Sequence, residues 1–177
     1  MRPQVETLRN LPDFGTRFRW NLFFVTFPPA VTSAITEDLN LRCISATLPK
    51  KRGSNFDVTI RGWDIPNPGI WKVAGTIKLV FIETIDNKIL DFFSQWHEAI
   101  WSMSTGTGAN KADLTALVEL HRLDRQDNTI REYQMYAFPE DYENGGDLDE
   151  KGLEILPALT LAYADFTEIG ATTAFTP

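Results

Sequence analysis

The chain has 177 residues, a single cysteine and a formal net charge of −7. One cysteine excludes an intrachain disulfide, and the acidic balance argues against a nucleic-acid binder that works by neutralising phosphates. No stretch comes near the roughly 20 apolar residues of a membrane helix, so no membrane insertion by this chain is expected, and the length fits one domain, 1–177.

Residues 1–19 are polar and broken by Pro3, Pro12 and Gly15, and they read as an arm. They lack the apolar core of a secretion signal, which together with the lone thiol predicts a reducing, aqueous compartment. Trp20 to Phe27 is apolar and aromatic and is stopped by Pro28-Pro29, as a strand would be. Leu39 to Leu48 alternates, with Leu39, Leu41 and Cys43 on one face and Asn40 and Arg42 on the other. That predicts a second strand closed by Pro49, with Cys43 as a buried, inert thiol. Residues 49–75 are rich in glycine, proline, aromatic and basic residues and read as a long protruding hairpin loop. Phe56 to Arg61 forms one side, and Ile65-Pro66-Asn67-Pro68-Gly69 the expected turn, flanked by Trp63 and Trp71. If exposed, those tryptophans are contact anchors; the alternative is that both tuck back on the core.

Thr76 to Ile85 is β-branched and apolar, a central strand. Asp86 is suited to capping a helix. Ile89, Phe93, Trp96 and Ile100 then fall on one helical stripe, which predicts a helix over 87–102, ending before Thr105-Gly106-Thr107-Gly108. Leu114 to Arg125 alternates again, with Leu117, Glu119, His121 and Leu123 on one face. Asp127-Asn128 is a turn signal, and Ile130 to Phe138 is the returning strand. An acidic loop with Asn144-Gly145-Gly146 at its tip follows. Leu153 to Phe166 is a last strand, with Pro157 marking an edge or bulge, and 167–177 is a small polar tail. The order predicts a mainly β fold, a β-barrel or sandwich with one flanking α-helix.

The chemistry-bearing residues do not assemble into a site. His97 and His121 have no partner at metal-ligand spacing and read as structural or surface residues. Asp147, Asp149 and Gly152 approach a calcium-loop pattern, but Lys151 stands where an oxygen ligand is needed. Thr105 to Gly108 with Lys111 lacks the spacing of a phosphate-binding loop. Cys43 has no oriented base, and Asp141 and Glu143 read as a solvated acidic pair rather than an acid and a base. No enzymatic activity, cofactor or metal is expected. The charge distribution is uneven: residues 42–72 hold six bases against two acids, and 138–177 hold nine acids against Lys151. These are either complementary surfaces that meet in an assembly or two solvated segments.

Four segments in order carry a resemblance: Trp20-Asn21-Leu22-Phe23-Phe24-Val25 after the arm; Leu41-Arg42-Cys43-Ile44-Ser45-Ala46-Thr47-Leu48-Pro49; Phe92-Phe93-Ser94-Gln95-Trp96 on the helix; and Ala137-Phe138-Pro139 before the closing strand. Together, over about residues 18–168, they resemble the tail tube proteins of contractile-tailed bacteriophages. The resemblance implies hexameric rings whose strands join into one inner barrel and which stack into a hollow tube. It implies a sheath protein outside, a tape measure protein in the lumen, and a baseplate and tail terminator at the ends. Genomic DNA would pass through without specific binding. The place would be the virion tail, assembled in the host cytoplasm.

On that reading Lys50, Lys51, Arg52, Arg61, Trp63 and Trp71 are candidates to meet Asp141, Glu143, Asp147 and Asp149 between rings. Glu83 and Glu119, at alternating strand positions, are candidates to line the lumen; an acidic wall lets phosphate slide. The alternatives are a tube-initiator, baseplate or secretion-system tube subunit, and, from another class, a monomeric small-ligand-binding β-barrel.

Overall fold

A computed structural model describes residues 19–28, 31, 36–102, 105–146 and 154–170. The arm up to residue 18, Asp147, Asp149 and residues 171–177 lie outside the described residues. The fold is mainly β. Six strands form one curled antiparallel sheet: β1 (Trp20–Thr26), β2 (Cys43–Ala46), β5 (Gly75–Phe81), β6 (Ala116–Leu123), β7 (Thr129–Glu143) and β8 (Ala158–Gly170). Their order across the sheet is β1-β6-β7-β8-β5-β2. Strands β3 (Arg52–Ile60) and β4 (Trp63–Lys72) form a separate two-stranded hairpin.

The period-two alternation decides which face is dry. Ala116, Val118 and Leu120 of β6, Ile77, Leu79 and Phe81 of β5, and Tyr133, Met135 and Ala137 of β7 are buried on one face. The helix α2 (Lys88–Ile100) lies on that face and buries Ile89, Phe92, Phe93 and Trp96. Phe93 meets Phe81 edge-on at 5.4 Å, Phe92 meets Phe27 at 5.5 Å, and Trp96 meets Phe24 at 6.4 Å between ring centroids. Trp96 is wholly enclosed, and its indole Nε1–H donates to the Leu114 carbonyl at 2.9 Å. The tight loop between β6 and β7 is held by Asp124, whose carboxylate accepts from the backbone N–H of Gln126 and Asn128.

Leu39–Leu48 is not one strand. Thr36–Arg42 is helical (α1), and only Cys43–Ala46 is extended. Leu39 and Cys43 are four residues apart, a spacing that serves a helix as well as a strand. Leu41, expected to share their face, is 76% exposed, while Leu39 is fully buried. The Arg42–Asp38 pair at 3.0 Å is the i,i+4 contact a helix provides, and Asn40 ties α1 to β1 by accepting from the Phe24 N–H at 3.1 Å. Cys43 is half-buried; burial pushes its thiol up to about 12, so it stays protonated and unreactive.

Strand β5 ends at Phe81, four residues before the expected Ile85. Glu83 therefore does not alternate along a strand; it turns inward. Its carboxylate accepts from the backbone N–H of Thr84 at 2.9 Å and of Leu90 at 2.8 Å. Leu90 is in the first turn of α2, whose N–H groups have no intrahelical partner. Glu83 thus caps this helix, and its negative charge suits the helix N-terminus. Asp86, expected to do so, faces Lys88 at 3.0 Å instead, and Asn87 occupies the cap position at φ 51° with no side-chain capping bond. The Thr84 hydroxyl and Lys88 hold the Asp86 carboxyl down at about 2. Glu83→Ala is expected to lower stability by about 1–2 kcal/mol, the typical cost of a lost cap. Urea denaturation measures it, and an unchanged midpoint would remove the capping role.

The last two strands also differ from expectation. Strand β7 continues to Glu143, so Asp141 and Glu143 stand on a strand rather than in an acidic loop. Pro139 is tolerated within it because β6 begins opposite Ala137 and the register shifts between Pro139 and Asp141. Strand β8 begins after Pro157 and takes in 167–170, expected to be tail. Pro157 bulges nothing; its carbonyl accepts from the Phe81 N–H at 2.9 Å.

Candidate functional site

Strands β3 and β4 meet at Arg61-Gly62, where φ is 52° and 82°. Two central residues of positive φ are the pattern of a type I′ hairpin turn, whose twist matches that of the strands. The expected turn at 65–69 is instead part of β4: Ile65 faces Val58, Pro66 faces Asp57, Asn67 faces Phe56 and Pro68 faces Asn55. Its prolines are accommodated because a two-stranded ribbon has two edges needing no donor. Gly69 is required by close approach, since a Cβ there would strike the Ser54 carbonyl.

Pairing across the ribbon sorts its side chains. Phe56, Val58 and Ile60 share a face with Trp63 and Ile65, and Asp57 and Thr59 share the other with Asp64 and Pro66. All five residues of the apolar face are exposed, Trp63 at 76%. Trp71 does not flank the turn. It sits at the foot of the hairpin opposite Gly53 and is also exposed. Neither tryptophan tucks back on the core of its own chain.

The basic candidates cluster at the two ends of this ribbon, Arg61 at the tip and Lys50, Lys51 and Arg52 at the foot. Lys51 pairs with Glu168 at 3.7 Å and lies 5.2 Å over the Phe166 ring. Among the acidic candidates, Glu143 pairs with Lys78 at 2.6 Å, and Asp141 is exposed. The structure does not bring the basic and acidic sets together within one chain.

The large sheet has two open edges, β1 paired only with β6, and β2 paired only with β5. Between them runs a groove of about 790 Å³, lined from one side by Trp20, Leu120 and Arg122 and from the other by Ile44, Ala46 and Leu48.

On the sheet face away from α2, Glu119 and His121 of β6 stand beside Glu132 and Gln134 of β7. His121 Nε2 is 3.2 Å from Glu119 Oε2 and 3.8 Å from Glu132 Oε2. The Gln134 amide donates to the second oxygen of Glu119 at 3.0 Å and to that of Glu132. The Phe23 ring lies 4.9 Å from the imidazole. The expectation that His121 lacks a partner at ligand distance is thus overturned. Glu132, eleven residues on, reaches it only through the register of β6 on β7, which spacing along the chain does not reveal. His97 behaves as a structural residue, its ring 5.5 Å from Tyr142.

This architecture recurs in solved structures. The chain is similar to the tube-terminating cap of the anti-feeding prophage, at 10% identity and TM-score 0.62, covering 91% of this chain and 94% of that one. It is similar to a chain of the sheath–tube complex of an extracellular contractile injection system, at 9% identity and TM-score 0.59, covering 96% and 99%. It is also similar to a chain of the anti-feeding prophage baseplate, at 15% identity and TM-score 0.56, covering 92% and 99%. At such identities the likeness is one of fold. Among curated protein sequences none matches. A family model described as phage tail tube protein matches residues 14–145, well over half of the chain, and the chain therefore belongs to the phage tail tube protein family.

Proposed function

We propose that this tail tube protein forms hexameric rings that stack into the inner tube of a contractile phage tail and serve as the conduit for the genome. The observation that carries the reading is the hairpin: five large apolar side chains on one face lie against nothing in their own chain. A two-stranded ribbon is marginal alone and needs packing to hold it. An exposed apolar face of this kind marks a contact with another protein. The open edges β1 and β2 give a second contact, since joining β1 of one subunit to β2 of the next closes the sheet into a ring and removes its edges. The face carrying Glu119 and Glu132, opposite α2, then lines the lumen, where acidic groups repel DNA. The tape measure protein would occupy that lumen during assembly. Sheath protein outside, and baseplate and tail terminator at the ends, complete the set of partners in the virion tail, assembled in the host cytoplasm.

The test is electron microscopy of the purified full chain, alone and with a baseplate to nucleate growth. Rings or tubes are the expected result; monomers under both conditions overturn the proposal. Reversal of Lys50, Lys51 and Arg52 to Glu is expected to block stacking while leaving rings intact. The single-chain stability should change by less than about 1 kcal/mol, since the one pair lost, Lys51 with Glu168, is exposed. Tubes of normal length in the triple variant would sink the idea of an electrostatic inter-ring contact.

A further inference from the structure

We propose that Glu119, His121 and Glu132 form a binding site for a divalent transition-metal ion of the zinc class. One nitrogen and two carboxylate oxygens lie within 4.8 Å of one another. In a zinc site, bonds of about 2.0–2.1 Å to ligands in tetrahedral directions put the ligand atoms about 3.3 Å apart. Here the imidazole nitrogen is 3.2 Å from one carboxylate oxygen and 3.8 Å from the other. Small side-chain rotations close the remaining gap, because the three backbones are already held side by side by the paired strands β6 and β7.

The surroundings favour an ion in two further ways. Gln134 donates its amide to the outer oxygen of both carboxylates, which leaves the inner oxygen of each aimed at His121. Partners of this kind orient metal ligands and raise affinity. Charge also favours it. Among the described residues neither carboxylate pairs with a lysine or arginine, and the three side chains are only 16–21% exposed. Two adjacent, half-desolvated carboxylates are relieved by a cation. The imidazole nitrogen selects zinc, cobalt or nickel over calcium or magnesium, which prefer oxygen alone. Water would fill the remaining positions. The site is contained in one chain and stands independently of how subunits assemble.

Titration of the untagged, chelator-treated full chain with zinc chloride by calorimetry tests it. The expected result is one ion per chain. His121→Asn and Glu132→Gln should each weaken binding at least about tenfold, and Gln134→Ala by a similar factor, with unchanged far-UV circular dichroism. Absence of saturable binding into the millimolar range would overturn the site, as would binding unchanged by His121→Asn and Glu132→Gln. Zinc-edge X-ray absorption on the unsubstituted protein gives an independent answer. A shell containing one imidazole nitrogen with oxygens supports the assignment, and an all-oxygen shell overturns it.

Discussion

Trp96→Ala is expected to destabilise the subunit by about 3–5 kcal/mol, the range for removing a large aromatic side chain from a core. Trp96 is among the largest fully buried side chains and joins three parts of the fold. Its ring packs on Phe24 of β1 and on Phe92 of its own helix, and its N–H holds the Leu114 carbonyl at the start of β6. Alanine leaves a cavity and strands that carbonyl without a partner, and the two penalties have the same sign. For a chain of this size the loss corresponds to a fall in Tm on the order of 10 °C. Trp96→Phe should lose less, because it keeps most of the ring contact and gives up only the hydrogen bond. Urea denaturation of both variants measures the difference. A loss below about 1 kcal/mol for Trp96→Ala would mean that α2 does not hold the sheet closed.

Trp63→Ala is expected to act in the opposite way, leaving the isolated subunit almost unchanged and crippling assembly. Trp63 is 76% exposed and is directly paired with Ile60 next to the Arg61-Gly62 turn. Removing it opens no cavity in the single chain, so the denaturation midpoint should hold to within about 0.5 kcal/mol. In an interface a tryptophan anchor contributes about 2 kcal/mol or more, which is about a 30-fold loss of affinity at each contact. Every subunit makes the contact, so rings or tubes should be lost at concentrations where the unsubstituted chain assembles. Sedimentation velocity and negative-stain images read the result. Assembly at the unsubstituted concentration would show that this face of the hairpin meets nothing. The contrast between the two tryptophans is the sharpest separation of folding from assembly in this molecule.

Much of the framework was legible in the chain. The aromatic run Trp20 to Phe27, the helix on the stripe of Ile89, Phe93 and Trp96, and the alternating hairpin of β6 and β7 stand close to where local pattern puts them. Each of these depends on a short-range period, because the side chains that must leave water recur at the repeat of the element carrying them. The failures have a common cause. Leu39 and Cys43 fit two periods at once. Pro66-Asn67-Pro68-Gly69 is turn chemistry overruled by the pairing of flanking residues on Arg52 to Ile60. Glu83 carries nothing local to say that it will cap a helix seven residues on.

The sequence by itself determined a mainly β chain with one core helix, an absence of an evident catalytic set, and a segment at 49–75 unlike the rest. Periodicity and composition suffice for that, since they follow from which residues must be buried. Only the tertiary structure decided that β1 and β2 are left as edges, that the hairpin presents its apolar face outward, and that Glu132 stands beside His121 and Glu119. Those facts depend on which strand pairs with which and in what register. A shift of one residue would turn every side chain of a strand to the other face, so no local reading of the chain could have supplied them.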